Sequence, residues 1–283
     1  MSVNTPSSTI NLSTQDSTRL NAGRGTGEGT AYTPWIKVHE ISSKGQKHLI
    51  RGYTVAREYH LLSRGEAACF RIFDWHSNVI DIREQYPLLP LQATLDLAKT
   101  WAIPHPNMTR QKDMAHVLTL DFLLTVQHDG QDELRAVSYK PASNLSHSTT
   151  LKRLELERRY FETHGVNGKA VSWRIVTEES ISHVLVANLE HLAPEVFIDL
   201  LDATFDQCML NLERAWSATR TLTAIAALAD KATGCQPGTC LSVARQLIYE
   251  QTWKVNLQQP FKVSNSIIRL DAGQPRVLKR RLR

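Results

Sequence analysis

Cysteine is scarce in this chain and apolar residues never run long. Four cysteines in 283 residues (Cys69, Cys208, Cys235 and Cys240) are too few for a disulfide framework and fit a reducing cytoplasm. Cys235 and Cys240 lack a second Cys/His pair at ligand spacing, which argues against a structural zinc site. No apolar stretch approaches the roughly 20 residues that cross a bilayer, and the N-terminus lacks the apolar core of a signal peptide, so no membrane partner is expected. Gly23, Gly25, Gly27 and Gly29 alternate, yet no Gly-Lys-Ser/Thr follows them. That argues against a nucleotide phosphate loop and reads as a flexible lead-in. Residues 1–21 are rich in Ser, Thr and Asn, the composition of a disordered tail. Lysine plus arginine exceed aspartate plus glutamate by 33 − 28 = 5, and the pI is 9.0, which permits a nucleic-acid partner without demanding one.

What is present concentrates in one hairpin. Val117 to Gln127 (VLTLDFLLTVQ) and Glu133 to Lys140 (ELRAVSYK) read as strands rich in β-formers. Asp129-Gly130 between them is a strong two-residue turn signal. With that turn His128 pairs with Gln131, and counting back sets Asp121 opposite Ser138. Ser138 and Lys140 then share a face, with Asp121 roughly 5 Å from the first and about 7–8 Å, diagonally, from the second. A carboxylate beside a lysine is commonly a solvated ion pair. Here Asp121 sits in a continuous apolar run, where a charge must be paired, hydrogen-bonded or holding a metal. Such a pair on a sheet face suits metal-dependent cleavage of phosphodiesters.

Two further carboxylates join the candidates. Ser63-Arg64-Gly65-Glu66 precedes a helix, Ala67 to Trp75, that feeds the strand Val79 to Glu84. Glu66 is either the acid of a capping box, bonding back to Ser63, or a metal ligand. Glu157 lies on the helix Leu151 to Glu162, sharing an apolar face with Leu154 and Phe161. It is either paired with Arg153 or Arg158, or functional. Gln92 to Trp101 reads as a helix, Ser172 to Val176 as a strand, and Thr177 begins another helix.

Beyond about Leu192 the texture changes. Pro194 opens a helical stretch to about Thr219, and Leu222 to Ala232 and Leu241 to Gln251 are further helices around the break at Gly234 to Gly238. Thr252 to Leu257 and Phe261 to Leu270 read as paired strands. Helix, turn, helix and a two-strand wing describe a winged helix-turn-helix, a fold used for reading DNA or for docking proteins. Arg276 to Arg283 carries five basic residues in eight. The expected division is a tail over 1–21, a catalytic domain over 22–192 and a winged-helix domain over 193–283.

Tyr59 to Pro90, Thr119 to Leu124 (TLDFLL), Val137 to Pro141 (VSYKP) and Leu151 to Phe161 together resemble the TnsA family of transposon endonucleases. So does the lead-in Arg24 to Pro34 (RGTGEGTAYTP) with Trp35, and the likeness runs over residues 22 to 190. It implies a restriction-endonuclease-like α/β fold of the PD-(D/E)xK kind, a mixed sheet flanked by helices. It also implies magnesium-dependent cutting at the 5′ ends of a transposon, with manganese able to substitute. The implied partners are transposon-end DNA, a DDE-type transposase subunit (TnsB-like) that cuts the 3′ ends, and an AAA+ ATPase regulator (TnsC-like), in the cytoplasm and on the nucleoid when active. By resemblance Glu66 is the helix acid, Asp121 the central metal-binding aspartate, Lys140 the motif lysine and Glu157 the acid of the following helix. The backbone carbonyl of Tyr139 could complete the metal shell. Ser138 departs from the pattern, standing where Glu or Gln is usual, and is expected to reach an ion through a water. Two alternatives remain at this level: a free-standing restriction- or repair-type nuclease, and a catalytically weakened winged-helix DNA-binding assembly protein.

Overall fold

The computed structural model describes residues 10–41, 46–106, 114–193, 197–217 and 219–264. The chain divides into two compact units, Met1–Ile181 and Ser182–Arg283, with the division ahead of residue 192.

The first unit is organised by the hairpin. β6 (Thr119–His128) and β7 (Gln131–Tyr139) pair antiparallel from His128↔Gln131 to Phe122↔Val137, the register expected from the turn. Asp129 and Gly130 both take positive φ, 49° and 78°, the backbone of a type I′ turn. β4 (Val79–Pro87) adds to β6 antiparallel and β8 (Val171–Val176) adds to β7 parallel, giving the order β4-β6-β7-β8. A parallel neighbour needs a crossover, and α4 (Ser148–His164) supplies it. Strand alternation then sends β6 side chains to opposite faces. Phe122 meets Phe73 of α2 (Arg64–Trp75) edge to face. Leu123 and Ala136 instead join Leu156 and Phe161 of α4, and Ala93 and Leu97 of α3 (Leu91–Thr100), in one buried cluster. The result is the expected mixed sheet covered by helices, which explains the unbroken apolar run around Asp121.

The N-terminal expectations need correction. Among residues 10–21, β1 (Asn11–Leu12) pairs parallel with β5 (Met114–Ala115), and α1 (Thr14–Asn21) follows, capped by Ser13. The cause is Asp16, only 1% exposed. Its carboxylate accepts bonds from Arg19 (2.9 Å), the Trp35 indole (3.1 Å), the Val117 backbone N–H (2.9 Å) and the Ser13 hydroxyl (3.1 Å). Composition pointed to disorder because one buried acid with distant donors leaves no compositional trace. Residues 1–9 of the expected tail lie outside the described residues.

The glycine-rich lead-in is likewise folded rather than flexible. Gly25, at φ +73°, donates its N–H to the Thr33 carbonyl at 2.7 Å. A Cβ there would lie 2.2 Å from the Pro87 ring, so glycine lets this loop pack against the end of β4. The hairpin of β2 (His48–Arg51) and β3 (Glu58–Leu61) is tied to β4 by Arg57, which forks onto the fully buried Glu84 carboxylate and stacks 3.8 Å above the Tyr59 ring.

The second unit contains α5 (His183–His191), α6 (Asp202–Ala215), α7 (Leu222–Thr233) and α8 (Thr239–Tyr249). The helix expected from Thr177 begins only at His183, after a short 3-10 turn over Glu178–Ser180. Leu212, Ile225, Ala229, Val243 and Leu247 are buried where α6, α7 and α8 pack. Asp230 receives the N–H groups of Gly238 and Cys240, each at 2.7 Å, and so caps the start of α8. Of the expected wing, residues 252–264 form no strand among the described residues. This stretch is instead held by Trp253 N–H to the Leu247 carbonyl and by Asn188, whose amide binds the carbonyls of Leu257 and Gln259. Pro194, residues 265–270 and the basic stretch 276–283 lie outside the described residues. No helix among the described residues is long and apolar enough to cross a membrane.

Asp16→Ala should cost about 3 kcal/mol or more, because it leaves the buried Trp35 indole and Val117 N–H without their acceptor and Arg19 with Glu40 alone. Thermal melting would read the loss, and limited proteolysis should open the chain between residues 10 and 24. An unchanged melting temperature would show that the segment is held by other contacts.

Candidate active site

Asp121 sits one residue beyond the last paired position of the β6–β7 ladder, Phe122↔Val137. The strands have ceased to satisfy each other there, so backbone and side chain must do so. A carboxylate oxygen of Asp121 accepts the Tyr139 backbone N–H at 2.7 Å and the Lys140 ammonium at 2.8 Å. The same ammonium also donates to the Tyr139 carbonyl at 2.7 Å. Burial alone would favour neutral Lys140, but the charges of Asp121 and then Glu157, with the Asp121 hydrogen bond, raise its pKa above the ordinary lysine value. It remains a cation, suited to holding negative charge or orienting a water rather than removing a proton.

Glu66 arrives from the other side, in the first turn of α2. Ser63 is the extended cap residue, and its hydroxyl accepts the Glu66 N–H at 3.1 Å. The returning bond comes from Leu62 N–H (2.9 Å) rather than from Ser63 N–H, and the Ser63 hydroxyl also donates to the carboxylate at 3.0 Å. The helix start can lie this close because residue 65 is glycine. A Cβ there would fall 1.9 Å from the Tyr139 ring. Burial, and then the charge of Asp121, push the Glu66 pKa up to about 7, against the lowering effect of the Leu62 and Ser63 bonds and the Lys140 charge. Glu66 is therefore both a capping acid and a partner of Asp121. The two sequence readings do not compete.

Ser138 and Glu157 form a neighbouring pair. Ser138 is fully buried and its hydroxyl donates to the Glu157 carboxylate. The other Glu157 oxygen accepts Arg153 Nε at 3.2 Å, and Arg153 Nη2 reaches the Thr119 carbonyl at 3.1 Å. Arg158 serves Glu155 and Glu162 instead. The hydroxyl expected to reach an ion through a water is thus engaged by Glu157, and the Tyr139 carbonyl is engaged by Lys140.

The donor set suits a hard cation. Glu66 and Asp121 are two buried carboxylates, and the like charge that helps to raise the Glu66 pKa is one that a divalent ion between them would offset. Among the described residues no group of three His, Cys, Asp or Glu side chains could cage a metal. Two carboxylates are a sparse set, of the kind that would suit magnesium, which keeps several waters in its shell. Sequence reasoning offered Arg153 as a partner of Glu157, which it is, but missed Gln85 and Gly65. Gln85 sits on β4 directly across from Asp121 in the register, between Glu84↔Phe122 and Tyr86↔Leu120. No turn fixes the β4–β6 register in the sequence, so nothing there could have placed it.

A mixed sheet flanked by helices, with two acids and a lysine meeting where its central strands part, is consistent with an α/β fold of the nuclease type. Residues 76–178 match the TnsA-like endonuclease N-terminal family and residues 180–257 the TnsA endonuclease C-terminal family. Over 174 residues the chain is 40% identical to transposon Tn7 transposition protein TnsA of Escherichia coli, a match covering 62% of this chain and 60% of that protein's length. The chain belongs to the TnsA family. Asp121, Ser138, Lys140 and Glu157 all lie inside the first matched segment, and Glu66 lies just ahead of it.

A carboxylate whose folded pKa is raised from 4.5 to about 7 binds more protons folded than unfolded between those values. Its contribution to stability is full at low pH and is lost as pH rises through about 7. Glu66→Gln should remove this loss and stabilise the metal-free chain at pH 8 by roughly 1–3 kcal/mol, with little difference at pH 5. Melting curves across that range test it, and a variant less stable at pH 8 than at pH 5 relative to the parent would contradict it. Gly65→Ala should destabilise, although alanine ordinarily favours a helix by about 1 kcal/mol, because its methyl meets the Tyr139 ring. A higher melting temperature for Gly65→Ala would refute the close approach.

Proposed function

We propose that this chain is the metal-dependent DNA endonuclease subunit of a cut-and-paste transposase, hydrolysing phosphodiesters at the 5′ ends of the transposon on a restriction-endonuclease-like fold. The observation that carries the reading is the convergence of Asp121, Lys140 and Glu66 where β6 and β7 part, in a chain of the TnsA family. Glu66 and Asp121 would hold magnesium, or manganese in its place. Bound there, the ion would polarise the scissile phosphate and acidify a coordinated water. Lys140 offers a permanent positive charge to the phosphate oxygens, where charge develops in the transition state. Tyr139 N–H and Lys140 hold the Asp121 carboxylate in place. Arg153, anchored to Glu157 and the Thr119 carbonyl, keeps a buried carboxylate paired beside the site. The partners are transposon-end DNA, a DDE-type transposase subunit and an AAA+ ATPase regulator, with the second unit and its basic end as the docking or DNA-contacting part.

One observation favours a second reading, a catalytically weakened assembly protein: the residue two before the lysine is Ser138, and its hydroxyl is spent on Glu157. Cleavage of labelled transposon-end DNA with magnesium, by the full chain with and without the transposase, separates the two. Asp121→Asn and Lys140→Ala should each reduce strand cutting on the order of 100-fold or more, with Asp121→Asn keeping its melting temperature and Lys140→Ala losing some, since it leaves the Asp121 carboxylate without its counter-charge. Ser138→Ala should stay within about tenfold of the parent if the hydroxyl serves only Glu157. Parent-level cutting by Asp121→Asn would remove the assignment. A parent chain that cuts nothing even with its partners, yet cuts as Ser138→Gln, would establish the second reading.

A further inference from the structure

Gln85 is the one residue of β4 that leaves the strand conformation at the site. Its φ is +48°, a region that side chains other than Gly, Asn and Asp rarely enter and that costs about 1 kcal/mol or more. The ladder pairs Glu84 with Phe122 and Tyr86 with Leu120 and skips Gln85, so the residue facing Asp121 is released from normal strand alternation. Two contacts hold it there. Its carbonyl accepts the Trp35 N–H at 3.2 Å. Trp35 is completely buried and its indole is fastened to Asp16. The Gln85 side chain, itself 2% exposed, donates from Nε2 to a Glu66 carboxylate oxygen at 3.1 Å. That oxygen also receives Leu62 N–H, and the other receives the Ser63 hydroxyl. Glu66 is thereby gripped by three donors from two elements. Of these three donors only Gln85 comes from the sheet that carries Asp121, so its amide ties the Glu66 carboxylate directly to that sheet.

We infer that Gln85 is a positioning residue, held in a strained backbone by the N-terminal segment so that its amide sets Glu66 against Asp121 for a divalent cation. The inference rests on the proposed metal site and specifies what preorganises it. Glutamine donates through its amide without adding a charge beside two acids. The folded lead-in acquires a role as well: Trp35 braces the kink from which the amide reaches.

The test separates backbone from side chain. Gln85→Gly relieves the positive φ and removes the amide, whereas Gln85→Asn tolerates the φ but carries a shorter amide. Manganese binding to the full-length chain is measured by isothermal titration alongside thermal melting, with Asp121→Asn as the control. The parent should bind and Asp121→Asn should not. Gln85→Gly should bind at least tenfold more weakly while melting at the same or a higher temperature, and Gln85→Asn should fall between. Parent-like affinity in Gln85→Gly, with binding abolished by Asp121→Asn, would overturn the role of Gln85 and leave the metal site standing. A large fall in melting temperature in Gln85→Gly would mark the residue as structural and also overturn it. If the parent binds no manganese, or Asp121→Asn binds equally, the metal site itself fails and Gln85's role fails with it.

Discussion

A single carboxylate at the place where two strands stop pairing sets the terms for the rest of this site. The ladder between β6 and β7 ends at Phe122↔Val137, and Asp121 takes over the next backbone donor, Tyr139 N–H, at 2.7 Å. That N–H is neutral, so it satisfies a carboxylate oxygen without supplying a counter-charge in an apolar sheet. Lys140 supplies one at 2.8 Å. Glu66 adds a second acid, whose pKa is raised by burial first and then by the Asp121 charge. The site thus sets two acids beside one ammonium, and its surroundings read as means of holding that arrangement: donors for Glu66, an arginine for Glu157, a glycine that lets α2 approach.

How much of this was legible depended on how far each contact lay along the chain. The hairpin could be folded on paper because Asp129-Gly130 fixes a turn and the turn fixes register, so Asp121, Ser138 and Lys140 followed by counting. Helices with a clear apolar stripe, such as α4, were equally plain. Contacts without a local signature were invisible. Asp16 orders residues 10–21 through Trp35 and Val117, and nothing in a Ser/Thr-rich composition announces that. Gln85 looks like any polar strand residue until the β4–β6 register is known. The end of the second unit misled for the opposite reason: alternating apolar residues over 252–264 satisfy a strand pattern, yet the chain there is held by Asn188 and the end of α8, so packing overrode local preference.

The N-terminal segment and the site form one mechanical system within the first unit. Asp16 fastens Trp35, Trp35 holds the Gln85 carbonyl, and Gly25 lets the intervening loop close on Pro87. The Arg57–Glu84 fork, one residue from Gln85, ties the β2–β3 hairpin to the same stretch of β4. Three segments distant in sequence therefore converge on residues 84–87. That explains why the glycine-rich lead-in accompanies the site although none of its residues touches Asp121.

The central claim is that Glu66 and Asp121 share a divalent cation. Anomalous diffraction from crystals of the full chain grown with manganese addresses it most directly. The account expects one strong peak within coordination distance of carboxylate oxygens from both residues, with Lys140 beside it and Ser138 still bound to Glu157. A manganese ion placed elsewhere with these two carboxylates empty, or held by Glu157 and Ser138 without Glu66, would contradict it.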